Sequence, residues 1–326
     1  MKRYSIVLGI AAACLGAPLV QGQARVKAAA YVVPRTADGQ PDLQGIWNNA
    51  TITPLERPAD LSGKAFFTPA EAAAYEKEWL QQNNRDRRAG EGASDVAGAY
   101  NQAWFDRGTK VVPTLRTSLI IDPADGKIPY SAEGLKRLAA AAEYSRMHPA
   151  DGPEDLALTD RCLSWGTAGP PMLPGPYNDN YQIFQAPGYV AIVVEMIHDV
   201  RIIPLDGRPH LPANVRQWMG DPRGHWEGNT LVVETTNFTG KSHFRGATQN
   251  MRLVERFTRT DANTLTYDFT VKDPATFTKP WSASVPMTKA AGPIYEYACH
   301  EGNYALPDVL AGARAQEKKA AGGARK

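Results

Sequence analysis

Thr264-Leu265-Thr266-Tyr267-Asp268-Phe269-Thr270-Val271 is the stretch that decides the fold. Leu265, Tyr267, Phe269 and Val271 fall on one face, and the three threonines and Asp268 on the other. A period of two is the mark of a strand with one buried side. Further on, Trp281, Ala283, Val285 and Met287 alternate against Pro280, Ser282, Ser284 and Pro286. Backward, the same period reaches Tyr181, punctuated by Pro187-Gly188, Asp206-Gly207, Glu227-Gly228-Asn229 and Asp261-Ala262-Asn263. Runs between turn signals at such spacing give roughly eight strands between 181 and 301. Consecutive short strands form an antiparallel meander, and one this long must curl or close to hide its edges. The expectation is a mainly β fold with some α, built on a barrel or half-barrel over 177–303.

Ahead of it, Gly169-Pro170-Pro171-Met172-Leu173-Pro174-Gly175-Pro176 can be neither helix nor central strand. Residues 25–168 therefore read as a mixed helical and irregular segment packing on the barrel. Gly45-Ile46-Trp47 and 117–122 are its short strand candidates. Thr68-Pro69-Ala70-Glu71 is a capping box with proline at the first helical position, opening a helix to Arg87 that ends in Gly90-Glu91-Gly92. Ser131 caps a second helix, with Leu135, Leu138, Ala139 and Ala142 on one stripe and Pro149 as its stop. A short third helix over 154–163 would carry Cys162. The final segment, 304–326, holds a helix over 307–319 and a basic tail (Lys318, Lys319, Arg325, Lys326).

The chain has 326 residues, 43% hydrophobic and 21% charged, the composition of a globular protein. Its net charge of +2 is supplied by Lys2 and Arg3, and everything after residue 24 is neutral. No basic field is present to hold nucleic acid. Met1-Lys2-Arg3, the apolar run 4–20 and Gly22-Gln23-Ala24 read as a signal peptide over 1–24. Ala11-Ala12-Ala13-Cys14 is a competing lipobox, opposed by the apolar run continuing through Val20. No later stretch approaches the ~18 apolar residues of a membrane span. The expected location is periplasmic or secreted, without stable membrane insertion. Nothing in the sequence sets the oligomeric state.

Removal of 1–24 leaves Cys162 and Cys299, which in an oxidising compartment read most simply as one disulfide. The competing reading is a catalytic thiol at Cys299 beside His300, but neighbours on a strand face opposite ways.

Gly45-Ile46-Trp47 and Gly224-His225-Trp226 each resemble the Gly-x-Trp of lipocalin-type barrels. The Asp206-Gly207-Arg208-Pro209-His210 run, Gly224-His225-Trp226-Glu227-Gly228-Asn229-Thr230-Leu231-Val232-Val233 and Tyr295-Glu296-Tyr297-Ala298-Cys299-His300-Glu301-Gly302-Asn303 together resemble a family of exported bacterial proteins of uncharacterised activity. The resemblance covers most of 40–315. It implies export and a β-barrel-like body, and it transfers no activity and no catalytic residue.

Gly-x-Ser-x-Gly, Gly-x-Gly-x-x-Gly, Walker and His-Glu-x-x-His motifs are all missing. The expectation is chemistry or binding without a cofactor, and with no metal, since no histidine pair has ligand spacing. Glu195-x-x-His198 is discounted because i and i+3 on a strand face opposite ways.

What remains are polar groups on apolar faces. His198 is the only polar member of the even stripe Val190, Ile192, Val194, Met196, Val200, Ile202. It is either a core histidine or a lumen-facing acid or base. The odd face carries Glu195, Asp199 and Arg201, either as a salt-bridged outer face or as a carboxylate oriented by Arg201. Glu255 sits among Met251, Leu253 and Phe257, where a carboxylate is costly unless a cation compensates. It is either a structural pair or a site acid. His300 completes the catalytic set. Arg208 and His210, at a barrel mouth, and Tyr295, Tyr297 and Trp281 are the substrate-binding candidates.

Two function classes fit. One is an exported lyase, hydratase or isomerase, in which His198 or Glu255 withdraws a proton and Arg201 or Arg208 steadies the oxyanion of a partly apolar, aromatic or sugar-derived substrate. The other is a non-catalytic carrier holding a hydrophobic small molecule in the same cavity.

Overall fold

The alternating run holds in the computed structural model. It forms strand β9 (Thr264–Lys272), with Leu265, Tyr267, Phe269 and Val271 all buried. Its partner β10 (Trp281–Ala290) buries Trp281, Ala283, Val285 and Met287 against it. The structure describes residues 31–86, 101–166, 168–241 and 244–323. The signal-peptide reading, residues 87–92, and Arg325 and Lys326 lie outside them, but the first helix, expected to reach Arg87, already stops at Gln82 with Asn83 as its C-cap.

The remaining strands are β1 (Gly45–Asn48), β2 (Ile120–Asp122), β3 (Asn180–Ala186), β4 (Tyr189–Val194), β5 (Val200–Pro204), β6 (Asp221–Glu227), β7 (Thr230–Thr236) and β8 (Arg252–Arg259). All belong to one antiparallel sheet, ordered β5-β4-β3-β1-β10-β9-β8-β7-β6, with β2 also pairing β10. The expected single meander is thus two, β3–β5 and β6–β10, stitched together by β1, whose Trp47 stands opposite both Tyr181 and Lys289. The front segment therefore supplies a central strand.

The sheet is not closed into a barrel, because β5 and β6 end the ladder without pairing. It nevertheless curls until these two edges touch through side chains. A Cβ placed on Gly224 of β6 would lie 2.6 Å from Leu205 Cδ2 and 2.8 Å from Ile203 Cγ2 beside β5, so only glycine admits this approach. The interior is packed solid with Trp47, Trp281, Tyr181, Tyr267, Phe257 and Phe269, all under 3% exposed.

Helix α1 (Pro69–Gln82) has the predicted capping box on Thr68 and Glu71. Helix α2 (Ala132–Met147) starts at the Ser131 cap, but of its expected apolar stripe Leu138 alone packs inward, against Gly246. Leu135 is 53% exposed. The helix also docks by backbone approach at Gly134, where a Cβ would stand 2.3 Å from the Thr276 carbonyl oxygen, and by Arg137 donating to Ala275 O and Thr276 Oγ1. The predicted third helix is only a 3-10 turn over Pro153–Asp155. Helix α3 spans Ala305–Gly323. No described helix is long and apolar enough to cross a membrane. Cys162 and Cys299 form the expected disulfide, with sulfurs 2.00 Å apart. It closes a separation of 137 residues, which the chain-entropy view values at about 4–5 kcal/mol.

Candidate functional site

Glu255 and Arg201 meet in the interior. Arg201 Nη1 and Nη2 donate to Glu255 Oε1 and Oε2 at 3.0 and 2.5 Å. Tyr267 Oη donates to Oε1 at 2.8 Å and itself accepts from Met172 N at 3.1 Å. Burial works against the Arg201 charge, but the Glu255 carboxylate outweighs it and holds the guanidinium pKa above its ordinary value. Burial, then the neighbouring carboxylate, pushes the Tyr267 phenol well up. Glu255 has no contact with solvent. This is an internal ion pair in which only Arg201 Nε is left without an acceptor, and Arg201 rather than Arg256 compensates the carboxylate. Arg256 points outward to Glu227 at 2.7 Å.

The remaining catalytic candidates do not join it. His198 lies on no strand. Residues 195–199 form a tight reversal in which Ile197 and His198 take φ of 65° and 62°, closed by Val194 N donating to Asp199 O. This reversal swaps the faces. Val190, Ile192, Val194 and Met196 are inward as expected, but beyond it Arg201 and Ile203 point in while His198, Val200 and Ile202 are exposed. Glu195 is buried, accepting from Asn180 Nδ2 and Tyr295 N, so it is no outer-face residue. His300 is exposed, because 291–301 is irregular chain leading to the disulfide rather than a strand.

The binding candidates scatter likewise. Trp281 is fully buried core, edge-on to Phe269 and Phe277, because the interior it faces is filled. Tyr295 is 68% exposed, and Tyr297 packs against the core. Arg208 is already engaged by the Asp206 carboxylate and by Tyr189 Oη. His210 sits between Asp221 at 3.1 Å and Glu234 at 3.6 Å and serves as a loop clasp.

Sequence reasoning missed a cleft of about 300 Å³ on the front side. The 51–55 loop forms one wall, bound to the 107–112 segment through Ile52 N and Thr51 Oγ1 donating to Lys110 O. Trp79 of α1, Leu173 and Pro174 of the proline-rich run, Arg107 and Arg245 complete it. Gly108 packs on the Ala50 and Thr51 backbone (a Cβ there would lie 3.0 Å from the Ala50 carbonyl carbon), which fixes Arg107 at the cleft.

Arg107 lies over Phe105 at 4.2 Å and Trp79 at 5.6 Å. Its Nε and Nη2 are buried without an acceptor. Burial, then the nearby Arg85 charge, draws its pKa down. Arg245 is exposed and held at φ 50°. The signal that could have found the site is the run Trp104-Phe105-Asp106-Arg107-Gly108, an arginine among aromatics followed by glycine.

Behind the cleft, Gly175 N donates to Asp179 Oδ1 at 2.7 Å. Asp179 is buried with Oδ2 unpartnered, and burial raises its pKa from 3.8 to about 7. Among the described residues no group of three or more His, Cys, Asp or Glu is arranged to hold a metal ion. Comparison of this chain with protein-family models, with curated proteins and with solved structures finds no match.

Proposed function

We propose that the chain is an exported carrier of a small, partly apolar organic molecule, seated in the front cleft. One observation carries this reading: an open cleft of about 300 Å³ with an apolar wall of Trp79, Leu55, Leu119 and Leu173 and a few polar groups. That is the small end of ordinary ligand sites. The filled interior of the curled sheet turns the reading away from a lipocalin-like lumen, though the half-barrel outline is compatible with that resemblance. Export is supported by the Cys162–Cys299 disulfide.

The lyase, hydratase or isomerase reading keeps one observation in its favour. A carboxyl with a pKa of about 7, Asp179, hydrogen-bonds the cleft-lining Gly175. A group poised near neutrality suits general acid or base work.

Mass spectrometry of small molecules released by denaturing the purified protein separates the two. A ligand released and rebound unchanged supports the carrier, and its conversion on incubation supports the enzyme. No co-purified molecule and no binding from a panel of phenolic and sugar-derived compounds would overturn both.

A further inference from the structure

The cleft wall is electrically lopsided. Its twelve lining residues include Arg107 and Arg245 and not one carboxylate. Among the described residues neither arginine has an ion pair or a side-chain hydrogen bond, whereas Arg208, Arg223, Arg252, Arg256 and Arg314 each face a carboxylate. Arg107 is the sharper case. A guanidinium has five N–H donors, and leaving buried ones unmade is costly. Nε and Nη2 are buried and unanswered, which leaves Nη1 as the nitrogen open to the cleft. Phe105 and Trp79 hold the plane of the group, so little side-chain freedom is lost when an acceptor arrives. Arg245, held at φ 50°, adds a second positive charge at the cleft.

On this basis, and resting on the carrier reading above, we infer that the cleft takes an aromatic carboxylic acid in its anionic form. The carboxylate accepts from Nη1 of Arg107, within the field of Arg245, and the ring lies on the apolar wall beside Trp79. The ligand supplies an acceptor that none of the described residues provides. A charge-assisted hydrogen bond in a partly desolvated cleft discriminates against a neutral isostere.

The test is isothermal titration of the full mature chain with 4-hydroxycinnamate and with its neutral amide. The acid should bind about 10- to 100-fold more tightly than the amide. Arg107→Gln should remove that preference, and Arg107→Lys should restore only part of it, since an ammonium is not held over Phe105 and Trp79 as the planar guanidinium is. Arg245→Gln should cost a few-fold, as expected of an exposed charge. Arg208→Gln, outside the cleft, should leave binding unchanged. Circular dichroism melts of each variant separate lost binding from lost folding. Equal affinity for acid and amide, or undiminished preference in folded Arg107→Gln, would overturn the anion assignment and leave the cleft a binding site. Binding of neither compound would overturn the assignment together with the reading beneath it.

Discussion

Arg201 on β5 and Glu255 on β8 form a two-pronged ion pair although five strands separate theirs along the ladder. Only the curl of the sheet brings them face to face. Both are essentially without solvent contact, at 2% and 0% side-chain exposure. In a dry interior the attraction is offset by the cost of desolvating each charge, so the pair holds the curl in register more than it adds net stability.

Removing one partner strands the other. Glu255→Gln and Arg201→Met should each destabilise the fold by about 3–5 kcal/mol. The double variant Arg201→Met/Glu255→Leu should recover most of that loss. Urea unfolding of the four proteins in a double-mutant cycle measures it. Additive losses would show that the two side chains do not act as a unit.

Asp179 makes stability depend on pH in an unusual direction. Its folded pKa is about 7 against an ordinary 3.8, so between these values the folded state binds the extra proton. Stability from this group is fully present below pH 3.8 and declines as pH rises through 7. Asp106 and Glu195 reinforce the effect by their negative charge. Wild type should lose about 2–3 kcal/mol relative to Asp179→Asn between pH 5 and pH 8. Parallel unfolding curves for the two proteins across that range would show an ordinary carboxylate.

His198 should behave as a strained turn residue. It is exposed, at φ 62°, next to Ile197 at 65°. Left-handed backbone costs a residue with a Cβ about 1–2 kcal/mol, and glycine adopts it freely. His198→Gly should therefore raise stability by about 0.5–1 kcal/mol net of its own chain entropy. It should leave binding of 4-hydroxycinnamate untouched. Thermal melts and titration of the purified variant check both, and a loss of either would return His198 to a functional role.

That reversal marks where the sequence stops being legible. Residues 195–199 contain no Gly, Pro or Asn, so local turn chemistry gives little warning of it, and the period-two stripe runs straight through in the sequence. One missed turn inverts every face beyond it. This is why Arg201 belongs inside and His198 outside. Glu255 was legible as a carboxylate on an apolar face, but its partner was not, because the two lie 54 residues apart. The cleft was invisible for a similar reason, since its walls come from the 51–55 loop, α1, Arg107, the proline-rich run and Arg245.

The sequence alone determined the buried faces of β8, β9 and β10 and the capped starts of α1 and α2. Each of these depends on energies between residues a few positions apart, whereas the Cys162–Cys299 pairing is one of three that the chain's three cysteines allow and is selected by the fold that brings the two together. Tertiary structure decided that β1 enters the middle of the sheet, that β5 and β6 approach without closing, that Arg201 turns inward to Glu255, and that Arg107 has no counter-charge among the described residues. Those outcomes depend on how far a twisted sheet curls before its interior fills, a property of all the packed side chains together.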